Sequence, residues 1–449
     1  MQKPFLQVLS PDETRNLITE FPELPAETSS LEDSLFRVLA EPVTAREDSP
    51  RFDRSTMDGF AVRSVDTFGA TESAPALFHI VGEIAMGEVH DTVLKKGQAV
   101  RIWTGGALPA AADSVVMVEH AEEVDRNTVE VLRAVAPFDN VVRRGEDFKE
   151  GETLLEAGHR LRPQDLGLLA AMGRRTVRVF KKPAVAIISS GDEIVPIDQE
   201  PPPGCVRDVN RYTLSAMVRE AHAEPVWIGI ATDDLKTLTS LIQKAMQAAD
   251  MVIVSGGSSM GARDHVIEAI QSHTNAKILV HGVSVSPGKP LILAKIGSIP
   301  VLGLPGHPVS AMVCFEQFVT CLCRRLEGEE VAQPFLRPTV QSFLSRNVPS
   351  KEGRTDFVRV RLQSMDGKIA AIPVPGKSGV ISAMVRAHGY IVIGADCEGA
   401  YKGDSVIVSL FADWMGGNLE KEYLSRYEAA CRGTGHIFET PQQEKISGI

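Results

Sequence analysis

The chain has 449 residues, 43% of them hydrophobic and 23% charged, which is the composition of a folded globular protein with room for about three domains. Its formal net charge of −11 argues against broad nucleic-acid binding and against attachment to an anionic membrane. No apolar run has the length of a transmembrane helix, and the amino end lacks the apolar core of a signal peptide. We therefore expect a cytoplasmic protein that binds neither nucleic acid nor a membrane.

The amino-terminal part of the chain changes its pattern twice. Residues 1–50 carry helical periodicity, whereas residues 51–140 consist of short apolar runs separated by glycine and proline, a pattern typical of β-strands. A helix that begins with proline is predicted over 161–170, and an alternating strand over 176–179. This part therefore combines a helical or mixed region with a β-rich insertion.

Strands and helices alternate after residue 182. Apolar runs rich in β-branched residues predict buried strands, and amphipathic stretches between them predict helices. The predicted strands cover 184–188, 225–230 and 250–254, and the predicted helices cover 211–218, 235–249 and 265–270. This alternation implies a parallel, doubly wound sheet, which binds ligands at the carboxyl ends of its strands.

The carboxy-terminal part has no strong helix before the tail. Alternating runs at 339–341, 356–362 and 405–410 predict the strands of a small β-barrel. The fold class is therefore multidomain, α/β plus β, with a doubly wound parallel-sheet domain, a mixed amino-terminal region and a small barrel. The predicted domains are a helical or mixed linker domain at 1–50 and 141–182, an inserted β-rich domain at 51–140, an α/β domain at 183–332, a β-barrel at 333–411, and a tail with one helix at 412–449.

Six cysteines in a chain of this length do not make a disulfide framework. Cys321 and Cys323 lie in an apolar helical stretch that has no histidine nearby. We interpret them as buried thiols rather than metal ligands. The cysteines thus indicate a reduced protein.

A glycine-rich stretch at 255–264 joins the predicted strand 250–254 to the helix that follows it. Such a turn lets the backbone approach a ligand and directs free N–H groups at an anion. It ends in a carboxylate, Asp264, which would repel a phosphate unless a cation lay between them. One interpretation is a metal-bridged phosphate site, and the other is a tight turn with Asp264 as a helix N-cap.

Other loops of the α/β domain have the same character. Residues 189–194 and 305–311 follow predicted strands, and residues 286–290 hold Lys289 between two prolines. Because such loops gather at one edge of a doubly wound sheet, they predict a pocket for an anion or a nucleotide.

The carboxylates of this edge need a counter-charge. Asp192, Glu193 and Asp264 would crowd a bound phosphate, and like charges at ~4 Å repel by several kcal/mol in a partly desolvated site. Mg²⁺ reverses the sign, since it favours one or two carboxylates together with phosphate oxygens. Helix capping or simple solvation is the alternative for each acid.

A series of motifs runs colinearly through the chain. They are the segments at 54–62, 101–106, 112–119, 143–147, 190–193, 255–264, 287–290 and 303–311. In these segments the chain resembles the molybdopterin molybdenumtransferases, a family that also includes the E domain of gephyrin. The resemblance covers residues 5 to 411.

The resemblance implies an α/β domain of the molybdopterin-binding type within an elongated homodimer. It further implies Mg²⁺-dependent insertion of molybdate into adenylylated molybdopterin, with release of AMP. The active site would be shared, because the segment around Asp58 of one subunit faces the α/β domain of the other. The preceding adenylyltransferase and the molybdoenzymes are the implied partners.

The resemblance also assigns site residues. Asp58, Glu193, Asp264 and Lys289 match residues with catalytic roles, and Glu193 and Asp264 are also the expected metal ligands. Without the resemblance, the segment around Asp58 would be interpreted only as a turn. The expected cofactor-binding positions are Thr104, Asp147, Ser190, Gly191, Asp192, Gly256, Gly257, Ser258, Gly261, Pro287, Gly288, Pro305, Gly306 and Ser310.

The chain departs from the family pattern in front of Pro287. Many members carry additional lysine or arginine residues there, whereas residues 280–286 contain no formal positive charge. Arg263, His281 or His307 are alternative sources of charge, and an altered oxyanion preference, for example for tungstate, is the other interpretation. His307 itself is either a ligand or a helix-terminal residue bonded to backbone.

Two alternatives to the insertion reaction stay open at this point. One is nucleotide transfer like that of a molybdopterin adenylyltransferase, and the other is a non-catalytic scaffold like gephyrin. The long amino-terminal region and the barrel argue against the first. The acids retained at Asp192, Glu193 and Asp264 favour an enzyme over a scaffold.

Overall fold

A computed structural model describes residues 8–88, 92–256, 260–330, 337–365 and 367–411, with only the backbone described at 260–264. The chain divides into two compact units. One comprises residues 28–179, and the other comprises the described residues up to 27 and from 180 onward. The predicted tail helix within 412–449 lies outside the described residues.

The first part of the chain is built mainly of short strands. Its helices and strands, numbered in chain order, are α1 Pro11–Asn16, β1 Ala26–Ser30, β2 Val43–Thr44, β3 Arg54–Ser55, β4 Gly59–Val62, β5 Ala76–Ile84, β6 Gln98–Ile102, β7 Ser114–Met117, β8 Ala121–Asp125, β9 Thr128–Val131, β10 Val141–Val142, β11 Thr153–Leu155, α2 Pro163–Ala171 and β12 Thr176–Phe180. Short 3-10 helices cover Leu17–Glu20, Ser64–Thr67 and Val118–His120.

The helical periodicity predicted for residues 1–50 is wrong beyond Glu20. Within the described part of that range, only α1 and the 3-10 turn after it are helical, and β1 and β2 are extended. Pro22 and Pro25 lack the N–H group that a continuing helix would need, which explains the stop. The predicted helix over 161–170 and the strand over 176–179 are confirmed as α2 and β12.

The unit 28–179 has a sheet with two covered faces. Its six strands are ordered β7-β4-β6-β5-β9-β8. Strand β4 is buried throughout, and its alternate side chains enter different cores: Phe60 and Val62 join one cluster, and Ala61 joins the other. A third cluster packs Leu169 of α2 against Val177 of β12.

The α/β part follows, with long helices between its strands. Its elements are β13 Ala184–Ser190, β14 Ile194–Val195, β15 Val206–Arg207, α3 Asn210–Glu220, β16 Glu224–Ala231, α4 Leu235–Ala248, β17 Met251–Gly256, α5 Met260–Gln271, β18 Ala276–His281, β19 Val285–Ser286, β20 Ile292–Ile296, β21 Ile299–Leu304, α6 Pro308–Cys314 and α7 Thr320–Leu326, with a π-helical segment Phe315–Val319 between α6 and α7.

The central sheet of this part has the strand order β16-β13-β17-β21-β20-β18. Strands β16, β13, β17 and β21 are parallel, which confirms the predicted doubly wound sheet. Strand β20 runs antiparallel to both neighbours, because the two residues Gly297 and Ser298 return the chain directly into β21. Apolar clusters cover both faces of the sheet.

The amino-terminal segment packs with this α/β part. Ile18 and Phe21 lie in the larger of its two cores, whereas the sequence grouped them with residues 141–182. The other proposed domain limits stay a prediction.

A closed barrel forms the last part of the chain that the structure describes. Its elements are β22 Thr339–Leu344, β23 Val348–Pro349, β24 Thr355–Met365, β25 Lys368–Pro373, α8 Ser382–Val385, β26 Gly389–Ile393, β27 Gly399–Ala400 and β28 Ser405–Leu410. The order β19-β24-β25-β22-β28-β26 closes through a β24–β26 pairing, which confirms the predicted barrel. Strand β19 enters this sheet from the α/β part and thereby joins the two.

Cys321 and Cys323 are fully buried, as predicted, and neither forms a disulfide bond. Burial raises the pKa of the Cys321 thiol to about 11. Among the residues that the structure describes, no helix is both long and apolar enough to span a membrane.

Candidate functional site

The carboxyl ends of three parallel strands lie level with one another. Ser190 at the end of β13 is paired with Gly256 of β17, and Ser255 is paired with Leu304 at the end of β21. A Cβ atom on Gly256 would lie 1.9 Å from the Ser190 carbonyl oxygen. Only glycine fits there, so the last residue of β17 lies in close contact with the end of β13.

The loops after β13 and β16 gather three carboxylates. The Ser190 hydroxyl donates to Asp233 Oδ1 at 3.0 Å, and the Asp233 backbone N–H donates to Asp192 Oδ1 at 3.0 Å. The Glu193 carboxylate folds back over Gly191, where a Cβ atom would lie 2.7 Å from Oε2. We call Ser190, Gly191, Asp192, Glu193 and Asp233 the acidic edge.

Asp233 was not identified from the sequence, although it follows strand β16 just as the other polar loops follow their strands. Its neighbour Asp234 has a different task, since it is the N-cap of α4 and accepts the Thr237 N–H at 2.9 Å. Hydrogen bonds from the Thr232 hydroxyl and from Thr237 lower the pKa of Asp234 to about 2. Helix capping therefore explains Asp234 but leaves Asp233 facing the loop of Asp192.

Asn210, at the start of α3, ties two of the loops together. Its Nδ2 donates to Ser255 Oγ at 2.7 Å and to the Gly306 carbonyl oxygen at 2.8 Å. Because a carbonyl oxygen only accepts, the Gly306 contact identifies the donating atom of the amide. Asn210 is 7% exposed, and no local pattern of the sequence indicates this bridge.

A cleft of about 410 Å³ at the opposite end of the sheet contains none of the predicted site residues. A larger cleft, of about 720 Å³, lies between the loops of the α/β part and those of the barrel. It is lined by Val8, Ser284, Val285, Ser286, Pro287, Gly288, Lys289, Pro290, Pro305, His307, Ser310, Lys351, Glu352, Gly353, Arg354 and Ser378. We call this larger one the basic cleft, because Lys289, Lys351 and Arg354 outweigh the single carboxylate of Glu352.

The Pro-Gly-Lys-Pro loop, residues 287–290, is held in the basic cleft from both sides. Gly288 has φ of +126°, and a Cβ atom there would lie 2.7 Å from Cys314 Sγ. The Cys314 thiol instead donates to the Gly288 carbonyl oxygen at 3.3 Å. On the other side, Ser286 pairs with Asp356 of the barrel strand β24. Lys289 itself is exposed.

Arg354 is oriented by a buried carboxylate behind it. Its Nη2 donates to Asp356 Oδ2 at 3.1 Å, and the Ser350 hydroxyl donates to the same oxygen at 2.7 Å. Asp356 is 6% exposed, whereas the Arg354 side chain is 38% exposed. The guanidinium is thus anchored from within while one part of it faces the cleft.

Basic residues from other parts of the chain lie in the same cleft as the loop that follows the uncharged segment 280–286. His307 lines the basic cleft, and its Nδ1 lies 3.0 Å from the Ser378 hydroxyl of the barrel. His281 is not among the lining residues, and the Arg263 side chain lies outside the described part of the chain. Lys351 and Arg354 were missed because they stand more than 60 positions from Lys289 in the sequence.

Asp58 and Thr104 meet in the unit 28–179. The Thr104 backbone N–H and hydroxyl both donate to Asp58 Oδ1, at 2.8 and 2.7 Å. These two bonds, the backbone one first, lower the pKa of the exposed Asp58 carboxyl below its ordinary value. Asp147 is bonded elsewhere, with its N–H donating to the Ser49 carbonyl oxygen at 2.9 Å.

The predicted positions therefore fall into groups. Ser190, Gly191, Asp192, Glu193 and Gly256 lie together at the acidic edge. Pro287, Gly288, Lys289, Pro305 and Ser310 line the basic cleft, and Asn210 links Gly306 to the strand that ends at Gly256. Gly257, Ser258 and the side chain of Asp264 lie outside the described residues, and Gly261 is described by its backbone alone.

The donor atoms of the acidic edge suit a hard cation. Within the described residues no cluster of three or more His, Cys, Asp or Glu side chains could enclose a metal ion. Mg²⁺ does not need such a cage, since it binds through one or two carboxylates and completes its shell with phosphate oxygens and water. The carboxylates of Asp192, Glu193 and Asp233 fit that kind of site.

Comparison with known proteins gives three family models that match in order along the chain. They are the MoeA N-terminal region (domain I and II) at residues 9–173, a probable molybdopterin binding domain at 186–325, and the MoeA C-terminal region (domain IV) at 342–411.

Curated relatives and solved structures agree with these matches. A molybdopterin molybdenumtransferase of Bacillus subtilis is 34% identical over 401 residues, covering 88% of this chain and 92% of the relative. One from a Nostoc species is 39% identical over 295 residues, covering 65% and 67%. The crystal structure of a molybdopterin biosynthesis MoeA protein from Pyrococcus horikosii aligns with a TM-score of 0.76 at 34% identity, covering 91% of this chain and all of that one.

Proposed function

The chain belongs to the molybdopterin molybdenumtransferase family, and on that premise we propose that it inserts molybdenum from molybdate into adenylylated molybdopterin, with Mg²⁺ bound and with release of AMP. As a family member it is a transferase of molybdenum cofactor biosynthesis. One observation carries the finer proposal: the acidic edge and the basic cleft lie in the same compact unit and are linked through Asn210 and the loop of Gly306.

The basic cleft is the proposed site for molybdate. A cation about 4 Å from an anionic charge contributes up to about 4 kcal/mol near a protein surface, whereas a helix N-terminus contributes about 0.3–1 kcal/mol. The three side chains Lys289, Lys351 and Arg354 therefore outweigh the amino end of α6 as the source of oxyanion affinity. Lys289 from the α/β part and Arg354 from the barrel would orient the anion.

The acidic edge is the proposed site for the pyrophosphate link of the substrate. Gly256 lets β17 end close to the end of β13, where backbone N–H groups can bind phosphate oxygens. Glu193 and Asp264, the latter within α5, would hold Mg²⁺ together with phosphate oxygens, with Asp192 and Asp233 beside Glu193 at the acidic edge. When bound, the ion would neutralise charge on the pyrophosphate and on the leaving AMP. The Ser190 hydroxyl orients the Asp233 carboxylate for this task.

The homodimer is part of the proposal, with Asp58 of one subunit completing the site of the other. The state of Asp58 supports this, because it is exposed, its carboxyl pKa is lowered, and its hydrogen-bond partner is Thr104 and not a cation of the described residues. Such a carboxylate is prepared to meet a ligand from outside its own unit. The preceding adenylyltransferase, which supplies the adenylylated pterin, and the molybdoenzymes remain the proposed protein partners.

In vitro assembly tests the proposal. Purified protein would be mixed with adenylylated molybdopterin, Mg²⁺ and either molybdate or tungstate, while AMP release is followed. We expect AMP with at least one of the anions and none without Mg²⁺. The absence of AMP with both anions would overturn the proposal, and consumption of ATP on free molybdopterin would point to nucleotide transfer instead.

A further inference from the structure

A buried ionic cluster joins the α/β part to the barrel. Arg337, just before β22, donates from Nε to Glu316 Oε1 at 3.0 Å. Its Nη1 donates to Glu220 Oε1 at 3.2 Å and to the Phe411 carbonyl oxygen at 2.8 Å. One guanidinium thus connects helix α3, the π-helical segment and the end of the last barrel strand.

Tyr390 of β26 completes the cluster from the barrel side. Its hydroxyl donates to Glu316 Oε1, and Gln317 Nε2 donates to the same hydroxyl at 3.2 Å. Glu316 and Gln317 are consecutive and both buried, and they lie in the π-helical segment. Wide turns of this kind occur frequently at functional positions. We call Glu316, Arg337 and Tyr390 the junction cluster.

Stability alone does not account for a junction of this kind. Burial raises the pKa of the Glu316 carboxyl, although Arg337 and the Tyr390 hydroxyl act to lower it. Well-packed apolar side chains in place of a buried ion pair are often as stabilising or more so. A charged and hydrogen-bonded cluster also fixes the relative orientation of the elements it joins, because its bonds form only when the partners are correctly placed.

A short path of contacts leads from this cluster to the basic cleft. The Tyr390 ring packs edge-on against Phe357 of β24, with ring centroids 5.3 Å apart. The residue before Phe357 is Asp356, which holds Arg354 and pairs with Ser286 next to the Pro-Gly-Lys-Pro loop. A displacement of Tyr390 would therefore be transmitted to Arg354 through Phe357 and Asp356 of β24.

We propose that the junction cluster is a positioning device, which places Arg354 and Lys351 of the barrel at the separation from Lys289 that a bound oxyanion needs. This inference rests on the proposed role of the basic cleft. The cluster touches no substrate in this scheme and acts only through the cleft residues.

The test compares two matched arginine variants. Arg337→Lys keeps the charge opposite Glu316 but loses the planar fork. Arg325→Lys is the control, because Arg325 likewise donates to a glutamate, Glu23 at 2.8 Å, and to a carbonyl oxygen, Phe21 at 2.9 Å, but joins α7 to the amino-terminal segment. For each variant the KM for molybdate, the KM for adenylylated molybdopterin and the Tm would be measured.

We expect Arg337→Lys to raise the KM for molybdate about five- to tenfold while the KM for the pterin stays within about twofold, because a misplacement of an ångström is felt at the site. Tyr390→Phe, which keeps the ring contact with Phe357, should give a smaller rise of the same sign. Arg325→Lys should lower the Tm without changing either KM.

Arg354→Gln tests the role of the basic cleft separately from that of the junction cluster. If Arg354→Gln raises the KM for molybdate but Arg337→Lys changes only the Tm, the positioning inference is wrong and the basic cleft stands. If Arg354→Gln leaves the KM for molybdate unchanged, the role proposed for the cleft is wrong, and the inference is overturned with it.

Discussion

The acidic edge and the basic cleft are assembled in opposite ways. Asp192 and Glu193 follow their strand directly in the sequence, and Asp233 follows the neighbouring strand. The basic cleft takes Lys289 from a loop of the α/β part and Arg354 from the barrel, over 60 residues later. The acidic edge is therefore local to one domain, whereas the basic cleft depends on how two domains meet.

We expect the greatest loss of activity from a change at Asp264, which lies in helix α5 after the glycine-rich stretch. Asp264→Ala should reduce Mg²⁺-dependent AMP release by at least about 10²-fold, because a positioned charge of this kind contributes several kcal/mol to a transition state. Circular dichroism and sedimentation should show a folded dimer. Near-normal turnover would show that Asp264 does not act together with the acidic edge.

The next effect concerns the basic cleft. Lys289→Met and Arg354→Gln should each raise the KM for molybdate about tenfold, which corresponds to about 1.4 kcal/mol of lost binding. Lys368→Met, at an exposed barrel position outside the cleft lining, is the matched control and should change nothing. Equal effects of all three variants would mean that net charge, and not the cleft, governs anion affinity.

Adjacent aspartates sharpen the assignment within the acidic edge. Asp233→Asn should lower kcat about tenfold or more, since Asp233 contacts Ser190 and the loop of Asp192. Asp234→Asn should leave kcat unchanged and lower the Tm by at most about 2–4 °C, because it weakens only the cap of α4. A reversed pattern in kinetics and thermal melting would contradict the separation of the two roles.

The smallest effect is expected at a carboxylate outside both regions. Burial of Asp165 would raise its pKa, but hydrogen bonds from Arg162 and His159 outweigh it and hold the pKa well below the ordinary value. Since the folded pKa is the lower one, the resulting stability is complete above the unfolded pKa of about 4 and is lost as the pH falls further.

Acid unfolding of the Asp165→Asn variant checks this. Its free energy of unfolding should vary less steeply with pH below about pH 4 than that of the parent protein, while AMP release at neutral pH is retained. An unchanged acid profile would show that Asp165 does not contribute to stability through its charge.

The sequence was a good guide wherever neighbouring residues carry the signal. The strands β13, β16 and β17 and the helices between them followed from apolar periodicity, and proline marked the start of α2. It misled over residues 21–50, where apolar spacing suggested a helix but Pro22 and Pro25 prevent one. The family resemblance assigned Asp58 and Thr104 separately, and the hydrogen bonds between them are seen only in the structure.

Local sequence patterns predicted the order of the domains, the character of the loops and the presence of acids at the ends of parallel strands. These features depend on residues close together in the chain. The folded structure alone shows that Asn210 bridges Ser255 and Gly306, and that Lys351 and Arg354 line the same cleft as Lys289. The composition of the cleft depends on the pairing of β19 with β24 and on the buried junction cluster. Both join segments that are far apart in the chain, and no local pattern encodes which distant segments will pack together.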